Sequence, residues 1–151
     1  MDWDRQILHS APIRCPLVRA QRIGYVDRMR FSEADNTSGY LIDAYGVDGI
    51  VIGGRRYRRG LIVTPERIVD PWGPNQPSEL MAEHLDELLA FSPQIIVLGT
   101  GRTQIFPDPS LYFRMMEQRI GFEIMDTGAA CRTYNILMSE GRRVVAAFMA
   151  E

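Results

Sequence analysis

Two polar, glycine-rich turns carry most of the side chains in this sequence that could recognise a ligand. The first turn, residues 99–103, reads GTGRT, and the second turn begins at residue 126 and continues as DTGAACRTYN. Threonine hydroxyls donate hydrogen bonds, and arginine guanidinium groups bind carboxylates and phosphates. The residue types in these two turns therefore predict recognition of an anionic group.

Each turn follows a short apolar run, at residues 95–98 and 122–125, that is typical of a buried strand. If the two strands are parallel, their carboxyl ends lie at one edge of the sheet, where open α/β sheets bind ligands. The second turn also leads directly into a helix, whose free N–H groups attract anions. The predicted crevice residues are Gly99, Thr100, Gly101, Arg102, Thr103, Thr127, Gly128, Arg132, Thr133 and Asn135.

Purely structural roles explain the same residues about equally well. Gly99 and Gly101 are also expected where a tight turn needs backbone freedom, and Thr127 could cap its helix. Asn135 is expected to bond to a neighbouring segment, because an amide cannot do acid–base work unaided. Cys131, beside Arg132 near a helix start, is predicted to be a small buried residue in preference to a nucleophile.

Residue content excludes several kinds of catalytic site. All 17 basic residues are arginine, so a Schiff-base lysine and a phosphate-loop lysine are absent. The nucleophile elbow of serine hydrolases is also missing. The two histidines and two cysteines occur in none of the usual zinc-binding spacings. We therefore predict no metal and no cofactor, and assign no catalytic residue.

Size and composition fit one globular domain without a membrane span. The chain has 151 residues, 46% of them hydrophobic and 24% charged, with a net charge of −2. A domain of this size buries enough surface to fold without disulfides or metal, and its charge argues against binding nucleic acid. Cys15 and Cys131 are expected to be reduced thiols. Residues 1–21 are interpreted as an irregular arm and residues 22–151 as a single α/β domain.

The order of elements predicts a sheet that is largely parallel. Short β-rich runs fill residues 40–69, with a tight hairpin turn at Gly53-Gly54. Helices are predicted to start at Ser78, at Asp108-Pro109 and at Ala129, and the last two are expected to end at Gly121 and Gly141. Strands at 95–98, 122–125 and 144–149 alternate with them, which indicates βαβ units. The first hairpin would extend this sheet or cover one side of it.

A basic cluster lies on the predicted hairpin. It consists of Arg55, Arg56, Arg58 and Arg59. A solvated edge strand protected by charge is one interpretation. A docking patch for an acidic partner or for anionic lipid headgroups is the other.

Three segments resemble a known family. They read MDTGAACRTYNILMSEGRRVVAAF, LGTGRTQIFP and YGVDGIVIGGRRYRRGLIVTPERIVDPW. They resemble the small α/β family of largely uncharacterised proteins that includes mitochondrial complex I assembly factor 3. The resemblance covers residues 42–149 and implies a three-layer fold around a mixed, mostly parallel sheet. It also implies action through protein partners, because the mitochondrial member assists assembly of respiratory complex I.

Two functional hypotheses follow from these observations. The first is a non-catalytic interaction or assembly factor in the bacterial cytoplasm, peripheral at the inner membrane, with a protein partner. The second is a binding protein or enzyme that holds a small anionic molecule in the predicted crevice.

Overall fold

The computed structural model describes residues 29–30, by their backbone alone, and residues 39–150. The predicted arm at 1–21 and Cys15 lie outside the described residues. The strands are β1 Met29–Arg30, β2 Ile42–Gly46, β3 Gly49–Ile52, β4 Arg55–Tyr57, β5 Leu61–Val63, β6 Ile68–Val69, β7 Ile95–Gly99, β8 Gly121–Met125 and β9 Val144–Phe148. The helices are α1 Ala82–Leu89, α2 Pro109–Glu117 and α3 Thr127–Ser139.

The predicted α/β architecture is confirmed. A five-stranded sheet has the order β6-β5-β9-β7-β8, and β7 pairs in parallel with both β8 and β9. The strands β5 and β6 add antiparallel pairs, so the sheet is mixed. All five residues of β9 are buried, as expected for a strand covered on both faces.

Side chains of β9 alternate between two cores. Val145 and Ala147 pack with α1 and α2, whereas Val144, Ala146 and Phe148 pack with α3. The strands β1 to β4 form a separate antiparallel sheet whose apolar residues join the α3 core. The first hairpin region therefore covers one face of the larger sheet. The predicted hairpin turn at Gly53-Gly54 is confirmed, because these residues have φ of 57° and 78°, which suits a primed turn.

Three predicted helix boundaries are wrong. Pro77–Glu79 forms only a 3₁₀ turn, and α1 begins at Ala82, where the Met81 N–H donates to His84 Nδ1 at 3.0 Å. Helix α2 ends at Glu117 because Arg119, with φ of 58°, takes the left-handed conformation expected of Gly121. Helix α3 begins at Thr127, two residues before its predicted start at Ala129.

Asp residues cap two of these helices. Asp108 Oδ1 accepts from Ser110 N at 2.8 Å, and the Ser110 side chain together with this backbone bond keeps the pKa of the Asp108 carboxyl below the ordinary value. Asp126 Oδ1 accepts from Ala129 N at 2.9 Å. The predicted start of α2 at Asp108 is therefore confirmed, and the cap of α3 is Asp126 in place of Thr127. In the described part of the chain, no helix has the length and apolar character needed to cross a membrane.

Because the Tyr134 hydroxyl is buried, the stability of this fold should decrease at alkaline pH. Its hydroxyl donates to Tyr40 O at 2.8 Å, and burial, followed by the negative charge of Glu66, raises its pKa. A folded-state pKa above the unfolded value of about 10 gives stability that is present below pH ~10 and lost as pH rises further.

Tyr134→Phe removes this dependence together with one hydrogen bond. We expect the variant to be about 1 kcal/mol less stable than wild type near pH 8. Above pH ~10 the difference should shrink, by up to about 1.4 kcal/mol per pH unit. Urea unfolding across this range measures it, and a difference that is constant with pH would contradict the assignment.

Candidate functional site

The two predicted turns are joined at the carboxyl edge of β7 and β8. Gly101 N–H donates to Thr127 Oγ1 at 3.0 Å, and Thr127 N–H donates back to Gly101 O at 2.8 Å. Thr127 is buried. Its hydroxyl therefore fastens the first turn to the start of α3.

Thr100 fixes the shape of the first turn from within. Its buried hydroxyl lies 2.8 Å from Thr103 O and 3.3 Å from Met125 O, and it accepts from Ile105 N at 3.0 Å. A hydroxyl has one donor and two lone pairs, so these contacts use most of its capacity. The Thr100 hydroxyl therefore bonds mainly to the backbone of the turn.

Gly99 and Gly128 allow close packing. A Cβ on Gly99 would lie 2.8 Å from Phe148 Cδ1 and 3.2 Å from Thr127 Cα. A Cβ on Gly128 would lie 2.7 Å from the ring of Tyr45. The first glycine lets α3 approach the sheet, and the second lets Tyr45 lie on the first turn of α3.

Thr133 and Asn135 both bond within the fold. The Asn135 Oδ1 accepts from Ile42 N and its Nδ2 donates to Ile42 O, each at 2.9 Å. The Thr133 hydroxyl lies 3.4 Å from Met125 Sδ. Asn135 thus bonds to a neighbouring segment, as the structural interpretation expected, and joins α3 to the smaller sheet.

A crevice of about 310 Å³ lies where the two turns meet the smaller sheet. Five of the ten predicted residues line it: Gly101, Arg102, Thr127, Gly128 and Arg132. The others, Gly99, Thr100, Thr103, Thr133 and Asn135, are not among its lining residues. The remaining lining residues are Tyr45, Gly46, Val47 and Asp126.

Sequence reasoning missed Tyr45, Gly46 and Val47 because they come from the hairpin between β2 and β3. Arg132 donates from its Nη1 to the Tyr45 hydroxyl, and its guanidinium carbon lies 5.9 Å from the ring centroid. Tyr45 and Arg132 are 87 residues apart, so no local pattern could have paired them. Gly46 and Val47 of the same hairpin also line a second crevice of about 180 Å³.

The lining of the crevice of about 310 Å³ carries two arginines, one tyrosine hydroxyl and one carboxylate. Arg132 donates to the Tyr45 hydroxyl, and Asp126 adds a negative charge that caps α3. Cys131 is fully buried, as predicted. Across residues 39–150, no three His, Cys, Asp or Glu side chains lie close enough together to hold a metal ion.

Acidic side chains accompany most of the basic cluster on the hairpin. Arg55 and Arg59 each have a nitrogen 4.0 Å from a carboxylate oxygen of Asp70, and Arg56 lies 3.6 Å from Asp48. Exposed pairs of this kind contribute little to stability. They do reduce the net positive charge that the hairpin presents to an acidic partner.

An exposed set of large apolar side chains lies on α2 and on the segment just before it. It consists of five side chains, here called the α2 surface: Ile105, Phe106, Tyr112, Phe113 and Met116, which are 45%, 69%, 44%, 61% and 54% exposed. Leu111 and Met115 of α2 are buried, whereas Tyr112 and Met116 are exposed. The apolar arc of α2 is wider than the sheet can cover.

Comparison with known proteins gives consistent matches. The family described as a protein of unknown function, DUF498/DUF598, matches residues 42–149. A Xenopus tropicalis protein named NADH dehydrogenase [ubiquinone] 1 alpha subcomplex assembly factor 3 is 32% identical over 117 residues. That match covers 76% of this chain and 63% of the relative, so the chain spans less than two thirds of the frog protein.

Two further matches add a membrane protein and a solved structure. A Francisella tularensis protein named 13 kDa major membrane protein is 38% identical over 61 residues, which is 40% of this chain and 50% of the relative. A crystal structure of a Bordetella parapertussis protein has a TM-score of 0.70 and 35% identity, over 76% of this chain and 98% of that one.

Proposed function

Because this chain belongs to the DUF498/DUF598 family, whose activity is unknown, we propose that it is a non-catalytic interaction or assembly factor. The frog relative carries the name of a complex I assembly factor. We extend that role to this chain as a protein that binds a partner during assembly of a respiratory or related membrane complex.

The α2 surface is the observation that carries this proposal. Monomeric soluble proteins rarely expose contiguous apolar patches of more than a few hundred Å². Aromatic residues and Met are enriched at protein interfaces, and three of the five side chains in this surface are Tyr or Phe. Tyr112 stacks on Phe122 with ring centroids 6.3 Å apart, so the surface is held to the sheet.

The hydrogen bonds of the predicted crevice also support a non-catalytic role. Thr100, Thr127 and Asn135 all bond to backbone groups of neighbouring segments. General acid–base catalysis needs a titratable group in reach of substrate. Through these bonds the two hydroxyls and the amide join two turns and two sheets.

The proposed setting is the bacterial cytoplasm, with peripheral attachment at the inner membrane through the partner. The membrane name of the Francisella relative supports such a location. The arginines of the hairpin, of which Arg58 is exposed, would then face anionic headgroups or an acidic partner.

Affinity capture tests the interaction role. Tagged full-length chain, expressed at native level, should recover the same identified protein partner in repeated captures from detergent-solubilised membranes and from the soluble fraction. Recovery of no reproducible partner from either fraction, while the tagged chain remains folded, would contradict the proposal.

A second candidate function is supported by the crevice of about 310 Å³ with Arg102 and Arg132 in its lining. It is the binding of a small anionic molecule, either a carboxylate or a nucleotide phosphate. A ligand present at about 100 times its Kd should stabilise the fold by about 2.7 kcal/mol and raise the melting temperature. The shift should be lost in Arg102→Ala, and the absence of any shift across carboxylates and nucleotides would exclude this function.

A further inference from the structure

A third crevice lies at the amino ends of β7 and β9. It has a volume of about 490 Å³, which is within the range of small-molecule sites. Residues 141–143, in the loop between α3 and β9, line it together with residues 64–66, in the turn between β5 and β6. Among the described residues, it shares none with the two crevices at the hairpin between β2 and β3. It is therefore a separate site, at the opposite edge of the larger sheet.

Opposite charges line this third crevice without forming an ion pair. Arg142 and Glu66 are both exposed, and neither side chain has a hydrogen bond or an ion pair with the described chain. Burial and then the negative charge of Glu66 raise the pKa of Tyr134, as expected of a carboxylate that no cation neutralises. Arg143 differs, because its Nε donates to Ser92 O at 3.2 Å. The crevice thus presents one guanidinium and one carboxylate, too far apart to pair with each other.

Apolar side chains make up much of the remaining lining. Met138 is 5% exposed, Pro93 is buried and Phe91 is half-buried. Apolar walls with a few charged or polar groups are typical of pockets that bind small organic molecules. An apolar group placed against Met138 and Phe91 would leave water, which favours binding.

We propose that the third crevice binds an apolar amino acid in its zwitterionic form. The ligand carboxylate pairs with Arg142, the ligand ammonium pairs with Glu66, and the ligand side chain packs on Met138 and Phe91. A guanidinium holds a carboxylate through two parallel hydrogen bonds, and an ammonium donates to a carboxylate. A simple anion would satisfy Arg142 but would be repelled by Glu66. The inference goes beyond the proposed function, because the site uses no residue of the α2 surface.

Titration of the full chain with L-phenylalanine, followed by two-dimensional NMR, tests the inference. The amide signals of Met138, Gly141, Arg142 and Val144 should shift with a Kd on the order of 1 mM, in keeping with a ligand of about a dozen heavy atoms. Two analogues each lack one charge: 3-phenylpropanoate has no ammonium, and phenethylamine has no carboxylate. Each should bind about fivefold more weakly than phenylalanine, because one ion pair is lost.

Substitutions in the third crevice assign the two charges. Arg142→Gln should weaken phenylalanine binding about fivefold. Glu66→Gln should weaken phenylalanine to a similar extent but should not weaken 3-phenylpropanoate, which has no ammonium to lose. Arg119→Gln and Glu117→Gln are the matched controls, since both residues are exposed and lie outside the lining, and they should leave Kd unchanged.

The comparison of the three ligands on wild type does not depend on the folding of any variant. No shift of these amides at about 20 mM phenylalanine, or equal binding of phenylalanine and both analogues, would overturn the inference. Wild-type affinity in Arg142→Gln would overturn it as well. These outcomes are independent of partner capture, so a chain that captures its partner but binds no amino acid would leave the proposed function standing.

Discussion

Asn135→Ala is expected to lower the free energy of unfolding by about 2–4 kcal/mol. The amide of Asn135 exchanges two 2.9 Å hydrogen bonds with the backbone of Ile42, which is fully buried. Removing the side chain leaves a buried N–H and a buried C=O without those partners, and each unsatisfied group costs about 1–3 kcal/mol. The smaller sheet would also lose these two hydrogen bonds to α3.

Urea unfolding at neutral pH measures this effect. Ser139→Ala is a suitable control on the same helix, because the Ser139 hydroxyl bonds to Asn135 O at an exposed position. The control should change stability by less than about 0.5 kcal/mol. A loss below about 1 kcal/mol in Asn135→Ala would show that the bridge to Ile42 is not what holds the two sheets together.

Phe113→Arg is expected to reduce capture of the protein partner at least tenfold, which corresponds to about 1.4 kcal/mol. Phe113 is 61% exposed and lies against Tyr112, with ring centroids 6.4 Å apart. Aromatic anchors often dominate the binding energy of an interface, and a buried unpaired charge is strongly unfavourable there. Folding should be little affected because the side chain already faces solvent.

Ile136→Arg is the matched control for this change. Ile136 is 59% exposed and lies on α3, which packs on the opposite face of the sheet from α2. It should capture the partner as wild type does. Equal capture by Phe113→Arg and wild type would exclude the α2 surface as the docking site.

Patterns within short segments predicted the larger sheet. The continuous apolar run at 95–98 and the Asp108-Pro109 start of α2 depend on neighbouring residues only, and both were predicted correctly. Boundaries failed where tertiary packing decided them. Leu80 is 5% exposed in an extended conformation, which delays the start of α1.

Contacts between distant segments could not be read from the sequence. Tyr45 reaches Arg132 across 87 residues, and Asn135 reaches Ile42 across 93. The sequence therefore predicted the crevice without the hairpin residues Tyr45, Gly46 and Val47 that line its other side. Periodicity also could not show that Tyr112 and Met116 remain exposed, because an apolar arc does not show how much of it a sheet can cover.

Capture of the partner by variants of the two candidate surfaces tests the central claim most directly. Wild type, Phe113→Arg and Arg102→Ala should be compared by quantitative mass spectrometry after affinity capture from the native cell. The account predicts that Phe113→Arg loses the partner and that Arg102→Ala, in the crevice, retains it. Retention by Phe113→Arg with loss by Arg102→Ala would contradict the account and assign the function to the crevice.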